Sequence, residues 1–261
     1  MDAVQDARCL LCRAKSGNYS ILVKEYRIYK CANCGLEYTH PVPSLEQLKR
    51  FYENYSDPRA LPDVVELNAK KNIKLLTKYG YESKLLTLDY GTGNGEFVRV
   101  AGDNCFGIDF RKSKHERVFE NIAALPRNEF DFITLWGVLE HLHDPLSTIQ
   151  TLQNLLTKTG KIAITTIDSE GIIPYYYKPI EHLSYWTLKS FEILFEKCNL
   201  ELISHEPYVM FQRAEIYLDR LLSRTPNDYK QAFSEALTRL PKYVEVPTNE
   251  VFVIAQQRTS P

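Results

Sequence analysis

Leu85-Leu-Thr-Leu-Asp89-Tyr90-Gly91-Thr-Gly93-Asn-Gly95-Glu96-Phe-Val-Arg-Val100 is the stretch that decides the fold of this chain. Leu85–Asp89 has the composition of a short buried strand. It runs straight into three glycines at alternate positions, and Glu96-Phe-Val-Arg-Val then opens a helix. Strand, glycine turn and helix are the start of a doubly wound α/β domain. Glycine lets backbone approach a ligand where a side chain would clash. A dinucleotide-binding loop places its third glycine one position later, where this chain has Glu96. An acid, Asp89, closes the strand.

The alternation continues on both sides. Val64–Tyr79 reads as an amphipathic helix leading into the first strand. Cys105-Phe-Gly-Ile-Asp109 is a second strand, and Asp109 follows Asp89 by twenty residues. A carboxylate at that strand tip can accept both hydroxyls of a ribose. A third strand should end near Phe119-Glu-Asn121-Ile122. Glu129–Trp136 reads as a fourth and flows into Gly137-Val-Leu-Glu140-His141-Leu-His143-Asp144-Pro145. Lys161–Ile167 is the fifth strand, Leu200–Glu206 the sixth and Val251–Gln256 the seventh, which should pair antiparallel. Thr187–Asn199 is a helix with Leu188, Phe191, Leu194 and Phe195 on one face. Ala214–Arg224 and Asp228–Leu240 read as inserted helices, an insertion spanning about 211–242. The expected architecture is α/β, with a doubly wound, Rossmann-like sheet of seven strands over residues 62–261.

Ahead of this lies a different pattern. Cys9-Leu-Leu-Cys12 and Cys31-Ala-Asn-Cys34 are two C-x2-C pairs with eighteen residues between them. That spacing fits a zinc ribbon. Four thiolates close a tetrahedral site, and the two-residue gap lets both sulfurs of one tight turn reach the same ion. The metal is therefore expected to be structural. A ribbon this small needs the metal for much of its stability. Tyr19–Val23 and Tyr26–Lys30 read as a hairpin between the pairs. The ribbon is assigned to residues 1–40 and a helical junction to 41–61. In the junction Ser44-Leu-Glu-Gln47 has the form of a capping box, opening a helix with an aromatic face of Phe51, Tyr52 and Tyr55. That face either packs on the main domain or brings a tyrosine over the bound ligands.

Composition narrows the class. The 261 residues carry a net charge of −1 with 44% hydrophobic and 25% charged residues. No global field favours nucleic acid or an anionic membrane. No apolar run is long enough to span a bilayer, and the first ten residues lack a secretory core. A cytoplasmic protein is expected, consistent with cysteines used for metal rather than disulfides. Cys105 and Cys198 stand alone and read as small buried residues.

The series LDYGTGNG, GIDF, EFDFITLWGVLEHLHDP and GKIAITTI resembles class I S-adenosylmethionine (SAM)-dependent methyltransferases. It is most similar to the branch of quinone-biosynthesis O-methyltransferases and sugar methyltransferases, over about residues 62–205. The cysteine module matches a zinc-bearing subset of that branch. The resemblance implies SAM as cofactor, held through Asp89, Tyr90, Gly91, Gly93 and Gly95 at its cationic methionine part. It implies Asp109 at the ribose, Asn121 and Ile122 at the adenine, and Leu135 and Trp136 flanking the methionine part. Glu181-His182 resembles the Glu-His of sugar C-methyltransferases, which act as base near the acceptor. His141 would be the further histidine after the fourth strand. Quinone O-methyltransferases carry another carboxylate three residues before Glu140, helping to hold a divalent metal; this chain has Gly137 there.

Histidine suits proton removal near neutral pH, so His182, Glu181 and His141 are the candidate catalytic residues. Two structural alternatives stand beside them: His141 capping the helix that begins near Asp144, and Glu140-His141 as a hydrogen-bonding pair of the fold. Tyr175, Tyr176 and Tyr177 lie in a loop suited to a substrate mouth. The leading expectation is a methyltransferase acting on a sugar, a nucleotide-linked sugar or a related metabolite, which could be carrier-linked. A ribosomal-RNA methyltransferase is the second reading. Residues 1–60 hold nine Lys/Arg against seven Asp/Glu, and four thiolates with one zinc add −2, which leaves the module near neutral and disfavours RNA. A zinc-dependent interaction protein without catalysis is the third; the intact glycine loop and both acids speak against it. An oligomer is compatible with this reading.

Overall fold

The computed structural model describes residues 7–15, 19–53, 61–173, 177–216 and 241–258, together with residues 226, 229, 231 and 235. Among the described residues there are eleven strands and five helices, arranged in two sheets.

The main sheet is built from β4 (Thr87–Tyr90), β5 (Cys105–Ile108), β6 (Val118–Phe119), β7 (Phe130–Trp136), β8 (Leu156–Ile167), β10 (Leu200–Arg213) and β11 (Tyr243–Gln257). Its order is β10-β11-β8-β7-β4-β5-β6. β8, β7, β4, β5 and β6 run parallel, and β11 is antiparallel to both β8 and β10. Parallel strands are covered on both faces, so β7 reads FDFITLW and is buried almost throughout. The chain leaves β4 towards β5 and β6, then returns to β7 on the other side of β4. The switch point therefore lies between β4 and β7, and the crevice beyond its strand ends is where an open α/β sheet takes its ligand.

Helices follow local chemistry. α2 (Pro62–Thr77) starts with proline at its first turn and Asp63 beside it. α3 (Glu96–Ala101) begins after Gly95. α4 (Pro145–Gln153) is capped by Asp144, whose carboxylate accepts from the Ser147 N–H. His141 is thus not the cap of that helix. α5 (Leu188–Lys197) carries a reciprocal capping box between Thr187 and Ser190.

Three strands are longer than their sequence suggests: β8 starts at Leu156 rather than Lys161, and the last two extend further still. β10 runs on through Phe211–Arg213, inside the segment expected to be insertion, and β11 starts at Tyr243 rather than Val251. They stay paired across Pro207 and Pro247, with a register shift between Pro207 and Val209. Ala214–Ile216 is helical; most of the two expected inserted helices lies outside the described residues.

The second sheet is small and has the order β1-β2-β3-β9. β1 (Ile21–Val23) and β2 (Tyr26–Lys30) form the expected hairpin, and β3 (Glu37–His40) follows the second cysteine pair. β9 (Ser184–Tyr185) comes from far along the chain, beside the predicted Glu181-His182. One hydrophobic core runs through both parts: Cys9, Leu36 and Tyr38 belong to the same buried cluster as Leu135, Leu183, Trp186 and Phe191. α1 (Leu45–Glu53) links the sheets, and Ser44 and Gln47 bond each other's backbone N–H as the capping box requires.

Candidate active site and zinc centre

The loop after β4 depends on its glycines. Gly91, Gly93 and Gly95 have φ of +76°, +61° and +82°, the left-handed region that side chains resist. A Cβ on Gly91 would lie 2.6 Å from Val138 Cγ2, and one on Gly95 2.9 Å from Val118 Cγ2. The loop is pinned by Gly91 and Thr92 N–H groups donating to the Ile108 carbonyl at 2.7 and 3.0 Å. Asp89 is buried at the end of β4 and accepts from the Thr134 hydroxyl at 2.7 Å. Burial pushes its pKa up to about 7, with the Asp109 charge adding to the effect. Such a carboxylate gains most from a cation placed against it.

Asp109 stands just past β5 and is buried. It accepts from the Gly93 N–H at 2.7 Å and from the Arg111 N–H at 2.9 Å, and its carboxylate pairs with the Arg111 guanidinium at 3.2 Å. Tyr90 packs on the main core beside Asp89, and burial and then the Asp109 charge raise its hydroxyl pKa. Asn121 follows β6 and turns its amide oxygen to the Ala124 N–H at 3.2 Å. Ile122 next to it is half-buried. Leu135 and Trp136 sit on opposite faces of β7. Leu135 is fully buried, while Trp136 stacks on Phe252 at 6.2 Å and packs on Phe97 at 5.5 Å.

A second group of side chains gathers beyond β7. The imidazoles of His141 and His182 lie 5.0 Å apart, although forty-one positions separate them in sequence. His141 is in a short 3-10 turn, Leu139–His141. Its Nδ1 meets the Glu181 carbonyl at 2.5 Å and the Tyr52 hydroxyl at 2.8 Å. A carbonyl only accepts, so Nδ1 carries a proton. Nε2 faces Glu140 Oε1 at 3.8 Å. Glu140 is buried, and its other oxygen accepts from the Thr166 hydroxyl at 2.6 Å. Its backbone carbonyl accepts from the Leu183 N–H at 2.7 Å. His182 is buried, with Nε2 3.6 Å from Glu181 Oε1. Ile180, just ahead, has φ of +79°, a costly conformation for a β-branched residue that tends to mark functional loops.

Glu140, His141 and His182 each offer one ligand atom, all within 4.8 Å of one another. Both histidines are sequence candidates; Glu140 is not, since the sequence places it as half of a hydrogen-bonding pair of the fold and beside the carboxylate position that Gly137 leaves empty, and its burial beside an imidazole is visible only in the folded chain. Tyr52 contacts His141, Phe51 and Phe110, so one residue of the predicted aromatic face does reach the candidate base. Tyr55, Tyr175 and Tyr176 lie outside the described residues. Tyr177 donates to Glu37 Oε2 at 2.8 Å.

The other site is the cysteine cluster. Cys9, Cys12, Cys31 and Cys34 place their sulfurs within 4.8 Å of one another. Cys9–Cys34 and Cys12–Cys31 are each 3.4 Å apart. Four thiolates about 2.3 Å from one zinc stand about 3.8 Å apart, so the donor set fits one tetrahedral ion. Each knuckle turns through a left-handed residue, Arg13 at +61° and Gly35 at +77°. The hydrogen bond from Cys34 brings the Cys9 thiol down to about 5, while the same contact raises Cys34. A metal would take the remaining protons. Cys105 and Cys198 are buried apart from this cluster, and burial raises both thiols, Cys198 to about 11.

The fold defines a doubly wound α/β domain with its ligand crevice at the glycine turn. Residues 59–205 match the methyltransferase-domain family, and the chain belongs to that family. A ubiquinone biosynthesis O-methyltransferase of Actinobacillus pleuropneumoniae is 38% identical over 68 residues, covering 26% of this chain and 29% of that protein. A tRNA U34 carboxymethyltransferase of Pseudoalteromonas atlantica is 31% identical over 104 residues, covering 32% of each chain. The chain thus spans less than half the length of these relatives. Among solved structures, a Burkholderia thailandensis 1,6-didemethyltoxoflavin-N1-methyltransferase with bound S-adenosylhomocysteine has a TM-score of 0.52 at 13% identity. That match covers 93% of this chain and all of the other, and it shows the shared fold. No helix among the described residues is long and apolar enough to cross a membrane.

Proposed function

We propose that this protein is a SAM-dependent methyltransferase acting on a small molecule, with His182 and His141 as the pair that removes the acceptor proton. The observation that carries the reading is the meeting of two imidazoles, 5.0 Å apart, beyond the carboxyl end of β7, the same end of the parallel strands at which Asp89 stands near the end of β4 and Asp109 just past β5. SAM supplies the electrophilic methyl group on a sulfonium, which leaves as a neutral thioether. Asp89 and the glycine loop hold the cationic methionine part, and Asp109, which also pairs with the half-exposed Arg111, accepts the ribose hydroxyls. The crevice aligns the acceptor oxygen or carbon in line with the carbon–sulfur bond. The acceptor's proton passes to an imidazole nitrogen as its lone pair forms the new bond to methyl. Glu140 beside His141 and Glu181 beside His182 stabilise the resulting imidazolium. The four-cysteine site holds structural zinc.

The favoured acceptor is a sugar, a nucleotide-linked sugar or a related metabolite, in keeping with the Glu181-His182 pair and the net charge of −1. A quinone-type O-methyltransferase is the second reading. The names of the curated relatives favour it, and so does the Glu140–His141–His182 donor set, whose ligand atoms lie within 4.8 Å of one another. That set could hold a divalent cation.

The test is a mass-spectrometric screen of zinc-loaded protein and SAM against nucleotide sugars, catechol-type quinone precursors and ribosomal RNA. A gain of one methyl group on a nucleotide sugar, abolished in His182→Ala while SAM still binds, is the expected result. Methylation of a catechol that requires added Mg2+ or Mn2+ would transfer the assignment to the quinone reading. Methylation of RNA alone would refute both.

A further inference from the structure

The segment that carries His182 runs into β9, a strand of the cysteine module's sheet. Glu37 and Tyr38 pair with Tyr185 and Ser184. The Thr39 N–H donates to the Leu183 carbonyl at 3.0 Å, and its hydroxyl donates to the His182 carbonyl at 2.9 Å. Three successive residues of β3 therefore hold the four residues from His182 to Tyr185. Thr39, His182 and Ser184 are all buried, where such bonds are costly to break.

Both cysteine knuckles lean on the segments that bear the histidines. Gly35, in the second knuckle, lies against Thr187, so close that a Cβ there would stand 3.0 Å from the Thr187 hydroxyl. Arg13, in the first, pairs at 2.7 Å with Asp144, three residues beyond His141. The Cys31 N–H donates to the Leu36 carbonyl at 2.9 Å, tying the metal knuckle to the start of β3. The cofactor loop is mounted differently: β4 and β5 pair only within the main sheet.

We propose that the zinc-bound knuckles are the mount of the proton-accepting pair, with Thr39 as the positioning residue that carries zinc occupancy to His182. The proposal rests on the reading of His182 as the proton acceptor. With zinc in place, the second knuckle fixes the start of β3, and β3 fixes residues 182–185. Without it, the anchored end of β3 is lost, and the two Thr39 bonds loosen with it. The SAM site, on β4 and β5, is spared.

Deuterium uptake at histidine C2, read for each of the six histidines by mass spectrometry, tests this without an acceptor. In Thr39→Val, uptake at His182 should quicken about fivefold, the size of one neutral hydrogen bond, and stay unchanged at His115 and His205. Thr39→Ser should restore the wild-type rate. Chelating the zinc should reproduce the change at His182 and re-adding zinc should reverse it, with SAM affinity by calorimetry held within about twofold. Unchanged uptake at His182 in both Thr39→Val and zinc-free protein would overturn the proposal. So would a rise at all six histidines with loss of SAM binding at a temperature well below the melting point of the zinc-free protein, since zinc would then act on the whole fold and not on this segment. Turnover by His182→Ala on the acceptor found in the screen tests the base role separately. Full turnover there, with His182 freed in Thr39→Val, would leave the mount standing and remove the base assignment.

Discussion

Asp89 is a carboxylate held near neutrality, and its burial sets a pH dependence that can be measured. Its pKa is raised from 3.8 to about 7, so the folded protein binds a proton there that the unfolded chain has released. The stability this proton contributes is fully present below about pH 4 and is lost as pH rises through about 7. Melting curves of the SAM-free protein should show that loss, and Asp89→Asn should flatten it. SAM, a cation at this site, should bind more tightly as pH rises through the same range. Gly91 is equally exacting. Gly91→Ala puts a Cβ 2.6 Å from Val138 at φ +76°, and urea denaturation should show a loss of about 2 kcal/mol. Both residues were legible in the sequence, because a strand end followed by alternate glycines is local information. The meeting of His141 with His182 was not. It depends on β9 joining the cysteine sheet, a contact between segments about 145 positions apart that no spacing rule describes. Glu140 was hidden for the same reason, since only burial against Thr166 and His141 distinguishes it from a surface acid.

At the scale of elements, the helix starts were the clearest features. Thr187 and Ser190 cap each other at α5 in a fully buried setting, beside Gly35 of the second knuckle. Thr187→Ala should cost about 1–2 kcal/mol by denaturant titration, and Thr187→Ser should recover most of it. Among the central parallel strands, β5, β7 and the second half of β8 are legible because they carry runs of buried apolar residues. β10 and β11 were read short because their outer halves are mixed in polarity and carry Pro207 and Pro247. Pro207 is tolerated because β10 is the edge strand and the pairing shifts register beside it, and Pro247 because β11 pairs with β8 only from Glu250 onwards. The cysteine hairpin was legible from two C-x2-C pairs, but its fourth strand was not, because Ser184-Tyr185 is only two residues long.

Taken whole, the molecule is a methyltransferase-family sheet whose core continues into the cysteine module. Stripping the metal with a chelator should therefore lower the melting temperature by roughly 10 °C, and scanning calorimetry with and without zinc checks this. If the module stood apart, the main transition would not move. Whether the crevice at the β4/β7 switch point binds SAM through Asp89 and Asp109 is decided by calorimetric titration of the zinc-loaded protein with SAM. One site per chain is expected, with a loss of at least about tenfold in affinity for Asp109→Ala. Absence of binding, or binding that Asp109→Ala leaves untouched, would contradict it.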